Sequence, residues 1–276
     1  MKKTGIRDIL YEPPGPKTRR RIRVVTALAL IMLAGLLWVI IRQFSLTGQL
    51  DARYWSFFGR ATTWRFLGEG LLSTVEAALT GALIAFAAGF ILMRGRLNRY
   101  APVRFLSMAI IEFTRGVPTL LFIYFFFLVV PQMGLGLSAF WKITLPCAIS
   151  ACGVVAEALR SGVNAVPKGQ REAALSLGYG EIRLFYQILF PQAIRFVIPS
   201  LISELVIVLK DTTFASVVSY ADLMQNAKVL ISNYDAMLSV YLVVAVIYIL
   251  INFLLNQLSE YLAQRTKRSA AEGRQA

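Results

Sequence analysis

The sequence contains no histidine. That removes the commonest general base, the Ser-His-Asp arrangement and any histidine-built zinc site. Cysteine is nearly missing: there are two, Cys147 and Cys152, five positions apart in an apolar run. On a helix that spacing puts them on different faces, so the pair supplies neither a bridge nor a metal site. Charge is scarce as well, at 16% of 276 residues, where an ordinary soluble domain has about 25%. Acids are the scarcer sign, 15 against 29 Lys and Arg, for a net charge of +14. No G-x-x-x-x-G-K-[ST] phosphate loop occurs, so the chain cannot cradle ATP in that manner. These absences exclude most enzyme classes. No cofactor and no metal is expected.

Apolar residues are what the chain has, at 57%. One soluble domain of this size cannot enclose that much apolar surface. A bilayer removes the difficulty, and the fold class expected is an all-α polytopic membrane protein. About 20 apolar residues at 1.5 Å rise cross a hydrocarbon core of about 30 Å. Six stretches qualify: 24–41, 71–93, 105–130, 141–159, 196–218 and 237–258. Each must be helical, because lipid offers the backbone of a single span no other partner. The first stretch is too long, and its basic flank too large, for a removable signal peptide.

Orientation follows from where the bases fall. Eight lie in residues 1–23, including Lys2, Lys3 and Arg7. Arg94, Arg96, Arg99 and Arg104 crowd the connection between the second and third spans. Five more occupy 160–195 and four follow Tyr261, giving 21 on one side against six on the other. Such a bias places both termini in the cytoplasm of a multi-pass cell-membrane protein, and it accounts for the basic charge without nucleic acid. The stretch 42–70 dissents mildly with four Arg, although Trp55, Phe57, Phe58 and Trp64 suit an interfacial segment.

The longest cytoplasmic connection, 160–191, has internal order. Pro167 suits a helix start, Gln170 to Leu177 are good helix formers, and Gly178 suits a left-handed stop. Ala173, Ala174 and Leu177 give a small, partly apolar face, with Arg171 and Glu172 beside it. A short surface helix joined to a span at each end is a lever, and small side chains let a partner come close.

Glu172-Ala173-Ala174, then Gly178, then Ile188 and Pro191 resemble the EAA signature of ATP-binding-cassette importer permeases. The chain departs once, with Phe190 where that pattern has Leu. V-P-K-G-Q-R-E-A-A (166–174), E-F-T-R-G-V-P (112–118), E-A-L-R-S-G (157–162) and L-K-D-T-T-F (209–214) are similar to the polar amino-acid subfamily. The leader Pro14-Gly15-Pro16-Lys17 and the additional first span are similar to actinobacterial glutamate permeases.

The resemblance implies a type I ABC importer permease core of five transmembrane helices plus one extra N-terminal helix. The layout is then a basic N-terminus (1–23), the extra helix (24–44), an extracellular linker (45–69), the permease domain (70–260) and a cytoplasmic tail (261–276). It also implies the partners: an ABC ATPase subunit that binds the ATP, a second permease chain of different sequence, and an external substrate-binding protein or lipoprotein. The residues Arg171, Glu172, Ala173, Ala174, Leu177 and Gly178 would form the ATPase-coupling surface.

Charges inside spans mark a pathway or an internal pair, because a lone one costs roughly 2.5–3.5 kcal/mol at mid-membrane. Glu112 and Arg115 stand three apart and can pair. Gly116 and Pro118 follow, and Pro118 disfavours helix at Val117, so the span is expected to break there. Glu112, Arg115, Gly116, Pro118, Thr119, Ser150, Glu204, Lys210 and Asp211 are the candidate substrate pathway. Both pairs, Glu112–Arg115 and Lys210–Asp211, stay open between a role in transport and a structural one. Glu76 is expected as a buried acid without a role. Two other readings stand beside an amino-acid importer, with glutamate the first guess: the same architecture carrying another amino acid or an opine, and an ion-coupled secondary transporter, which predicts internal inverted repeats that the halves do not display.

Overall fold

The structure, a computed structural model, describes residues 15–272, and side chains as far as residue 264. Of the expected cytoplasmic N-terminus, residues 1–14, with Lys2, Lys3, Arg7 and Pro14, lie outside the described residues. So do the side chains of Arg265, Lys267, Arg268 and Arg274 in the tail. The chain divides into two compact units, 1–56 and 57–276.

In the first unit, α1 spans Pro16–Leu46. Pro16 opens it with a φ already suited to a helix. Thr47 closes it, its Oγ1 donating to Gln43 O at 3.0 Å. None of its residues is buried. Val25, Ile31, Met32 and Trp38 project on different sides, the form of a helix surrounded by lipid.

The second unit starts with α2 (Ala61–Arg96), whose 36 residues make roughly 54 Å, longer than the hydrocarbon core. Its buried face is a run of small residues: Gly70, Thr74, Ala77, Ala78, Gly81, Ala85 and Gly89. In a membrane, small residues let helix backbones approach closely and pack by dispersion and weak polar contacts. A Cβ added to Gly89 would lie 2.8 Å from Cys152 O and 3.0 Å from Ala156 N, so no other residue fits without separating the helices. The glutamate expected to be buried in this helix is not: Glu76 is exposed on α2. One helical turn of small buried residues sits at Thr74, Ala77 and Ala78, and Glu76 falls on the opposite side of it.

The third apolar run is not a straight rod. α3 (Ala101–Gly116) stops at Val117, and the segment Thr119–Met133, which opens with α4 (Thr119–Tyr124), leaves at 95° to it. Val117 is extended (φ −91°, ψ 126°), as a residue before proline prefers. A π-type turn and a 3-10 turn then carry the chain to Gly134, whose φ of +83° ends the run. Counting the bent pair as one, six candidate spans lie among the described residues.

α5 (Ala139–Ala165) is the central rod, and α2, α3 and the later span all pack on it. Its inner face carries Ile143, Ala148, Ala151, Val155, Ala156 and Leu159. Cys147 and Cys152 are both free and both buried, on different sides of this helix. Next comes the short α6 (Lys168–Ser176). The following span starts with α7 (Glu181–Leu184) and a π-type turn, and continues as α8 (Phe190–Asp211) and the 3-10 segment Thr212–Val218. The turn packs on the end of α2. Phe90 meets Phe190 edge-on at 4.9 Å, and the Arg94 guanidinium lies 4.0 Å from the centre of the Phe185 ring.

α9 (Leu223–Tyr234) is a short helix with no counterpart among the six expected spans. Asp222 caps it, accepting from Gln225 N–H at 2.7 Å. It is riveted to α2 by polar contacts: Leu223 N–H to Thr74 Oγ1 at 3.0 Å, and Asn226 Nδ2 to Phe66 O at 2.7 Å. The last span is α10 (Met237–Glu272).

Candidate functional site

The shelf α6 is built by its two ends. Pro167 precedes it with φ −55° and ψ 135°, so the chain leaves α5 extended and re-enters helix at Lys168. At the other end Gly178 takes φ +79°. Gly178 N–H then bonds Leu175 O at 3.0 Å, and Tyr179 N–H bonds Ala174 O at 3.1 Å. Those two bonds are a Schellman stop, which satisfies the last carbonyls of the helix. Arg171 reaches past the stop to Glu181 at 2.8 Å. Of the six expected coupling residues, Ala174 is buried. Arg171, Glu172, Ala173, Leu177 and Gly178 are exposed, and Leu177 is 78% exposed.

Inside the spans, the expected pathway residues separate into two groups. In the first, Thr119 Oγ1 donates to Asp211 Oδ2 at 2.9 Å. The Ser150 hydroxyl is 2.8 Å from the same Thr119 oxygen. Because Thr119 has one proton and gives it to the carboxylate, Ser150 is the donor in that second bond. Three elements meet here: α4 just past the Pro118 elbow, the middle of α5, and the end of α8. Glu204 is buried on α8, seven residues before Asp211 and on the same face. The result is two carboxylates and two hydroxyls, partly open, with no cation in the hydrogen-bonded set. The chemistry of such a set is complementary to a positively charged, hydrogen-bonding group. Lys210 does not join it. The residue is exposed and forms no ion pair with Asp211 among the described residues, so the expected Lys210–Asp211 pair is corrected: neighbours on a helix point about 100° apart.

In the second group, Glu112 lies 3.7 Å from Arg115 Nη1 and 3.8 Å from Arg96 Nη1. Arg96 also bonds Glu157 at 2.5 Å, and Glu157 holds Arg160 at 2.9 Å. The five charges tie the end of α2 to α3 and α5. Glu112 and Arg115 are thus brought to each other and not to the Thr119–Ser150–Asp211 cluster. Gly116 and Pro118 are exposed at the elbow between the two groups. Glu157 and Arg96 were not singled out from the sequence as site residues. The three-residue spacing of Glu157 and Arg160 was the available signal, but nothing in one sequence indicated that Arg96 lands beside them.

A family model described as binding-protein-dependent transport system inner membrane component matches residues 81–268. The chain belongs to this family. It is accordingly a multi-pass permease subunit of the cell membrane, of the amino-acid ABC importer type, and not itself an enzyme. Among its relatives is the glutamate transport system permease protein GluD of Corynebacterium glutamicum, 33% identical over 231 residues, 82% of this chain and 83% of that protein. A probable glutamine ABC transporter permease protein of Bacillus subtilis is 32% identical over 73% of this chain and 93% of its own. A crystal structure of an amino acid ABC transporter with histidines superposes with a TM-score of 0.70 at 27% identity, over 76% of this chain and 98% of that one. The inward-facing MetNI methionine ABC transporter shares the fold alone, with a TM-score of 0.63 at 15% identity. Within this permease fold, Glu172, Ala173 and Ala174 fall on α6; Ser150, Glu204 and Asp211 fall on the spans that α6 joins, and Thr119 falls on α4.

Proposed function

We propose that this permease carries a polar amino acid, glutamate first among them, into the cell, driven by a separate ABC ATPase that grips α6. The observation that carries the reading is the connection between shelf and cluster. α6 joins the end of α5 to the start of the α7–α8 span, and those two spans carry Ser150 and Asp211. A displacement of α6 therefore acts on both sides of the site, while Thr119 is held by the elbow at Pro118. Ser150 stands fifteen residues before the end of α5, roughly 22 Å along a rigid rod. The α-ammonium of an amino acid matches the Thr119–Asp211 pair with Glu204 nearby. Both termini are assigned to the cytoplasm by the positive-inside bias, and the substrate is delivered outside by a binding protein or lipoprotein. A second permease chain completes the translocation path, and the ATPase supplies all of the nucleotide chemistry.

Glutamate as substrate is supported by the likeness to the Corynebacterium permease. One observation favours a second reading, import of a basic amino acid. Glu204 and Asp211 put two carboxylates at one place, which suits a solute with an additional cation, and an arginine transport system permease of Bacillus subtilis is 28% identical over 59% of this chain. Uptake of radiolabelled glutamate, glutamine and arginine in cells lacking this chain, and in the same cells with it restored, separates them. Loss of glutamate uptake alone supports the first reading, and loss of arginine uptake alone supports the second. Loss of none removes both.

A further inference from the structure

Outside the cluster and the shelf, a cavity shared by three helices stands out among the described residues. It has a volume of about 390 Å³ and lies where α2 ends and α3 begins, against the last third of α5. Arg96, Arg104 and Arg160 supply its charge, and Leu97, Phe105 and Met108 supply an apolar wall. A small-ligand cleft has a volume of about 300–1,000 Å³, so the space admits a small polar head.

The charge of this cavity is not cancelled. Glu157 takes contacts from Arg96 and from Arg160 Nε and Nη2, and Glu112 is shared between Arg96 and Arg115. A guanidinium has five donors, so Arg96 and Arg160 keep donors for another acceptor. Arg104 has no ion pair among the described residues. One turn of α3 then changes from charge to hydrocarbon. Phe105 and Leu106 are 67% and 62% exposed, and Met108 follows on the cavity side. The apolar run of α2 ends at Met93 and the arginines begin at Arg94, so the cavity sits at the edge of the apolar band.

We infer that this cavity holds an anionic phospholipid, with the phosphodiester on Arg96, Arg104 and Arg160 and an acyl chain along Phe105 and Met108. Basic pockets on the edges of membrane helices suit such head groups, and guanidinium pairs well with phosphate oxygens. A free phosphate ion would use the arginines but not the exposed apolar wall, and an acidic protein segment would leave that wall facing lipid unmatched. The lipid would lean on the same Arg96 and Arg160 that Glu157 ties together, and so would brace α2, α3 and α5 from the membrane side.

The test uses the complete transporter, this permease with its ATPase and partner permease, in nanodiscs of equal parts phosphatidylglycerol and phosphatidylcholine. Native mass spectrometry after release counts retained lipids. The wild type is expected to keep phosphatidylglycerol in preference to phosphatidylcholine. Arg104→Gln should reduce that preference about fivefold, the worth of one arginine beside an anionic lipid surface. Arg99→Gln, on an exposed arginine outside the cavity, should leave it unchanged, and Arg104→Lys should largely keep it. Met108→Trp, which fills the apolar end without touching charge, should lower total retention and decides the matter if Arg104→Gln does not assemble. Equal retention of the two lipids by the wild type overturns the inference. So does an equal loss in the Arg99 and Arg104 variants, which marks general surface attraction. Displacement of the retained lipid by millimolar inorganic phosphate overturns it too, because the site is then one for a free anion.

Discussion

Thr119 is the residue on which the candidate site turns. It has one hydroxyl proton, and the Asp211 carboxylate takes it, leaving its lone pairs for Ser150. Removing that hydroxyl by Thr119→Val leaves Asp211 without its donor. A hydrogen bond to a charged group is worth about 1.5–3 kcal/mol. On the proposed reading, Asp211→Asn and Thr119→Val each raise the apparent KM for uptake at least tenfold while the complex still assembles. Uptake kinetics in proteoliposomes check this, and an unchanged KM in both variants returns the cluster to a structural role. Glu157 makes a contrasting case. It is 20% exposed and pairs with both Arg96 and Arg160. Glu157→Ala leaves Arg160 without its acid and Arg96 with only the longer contact to Glu112, so about 1–3 kcal/mol of stability should be lost, read as a lowered Tm of the purified complex. The sequence made Thr119, Ser150 and Asp211 candidates by residue type and place. It could not distinguish Asp211 from Lys210, since a one-residue step on a helix decides which side chain faces inward, and only packing fixes that rotation.

Helices are the scale at which sequence and structure agree best, because hydropathy and breakers act locally. Long apolar runs became spans, Pro118 became a 95° elbow, and Gly178 became a left-handed stop. α9 was hidden for the opposite reason. Its anchor contacts, Asn226 to Phe66 and Leu223 to Thr74, bridge 160 and 149 positions of sequence and leave no local mark. Its one readable sign was Asp222 with Gln225 three residues on, a capping pattern. Two predictions belong here. Gly89→Val drives a branched side chain into the α5 backbone, where a single Cβ already reaches Cys152 O at 2.8 Å. Failure to accumulate in the membrane is expected, by immunoblot against the wild type. Gly178→Ala meets open space, but keeps a φ of +79° that costs a side-chain-bearing residue about 1 kcal/mol. Its effect should be confined to coupling: less ATPase co-purified through a tag on this permease, with membrane levels intact. Glu172→Lys should abolish that co-purification, and full retention by both variants removes the docking role of α6.

At the scale of the molecule, the division at residue 56 matters most. The family match covers 81–268 and falls wholly in the second unit, while α1 lies wholly in the first. A chain starting at Phe57 behind a new initiating Met is expected to insert, because Arg94, Arg96, Arg99 and Arg104 still hold the second-to-third connection inside. Reporter fusions at the C-terminus should read cytoplasmic with and without residues 1–56, and a reversed reading would overturn the assigned orientation. What a lone sequence lacked at this scale was the meeting of distant parts: Arg96 beside Glu157, and Phe90 against Phe190. The lock at Gly178 has a consequence for how the parts move. Two crossed amide bonds fix the chain at the stop, and the exposed Arg171–Glu181 pair spans the short gap between the shelf and the span that follows it. On the proposed reading, a short and well-bonded link of this kind passes on most of a short stroke. One or two flexible residues spliced in after Leu177 would turn the rod into a slipping clutch, with fuel consumed and no cargo moved.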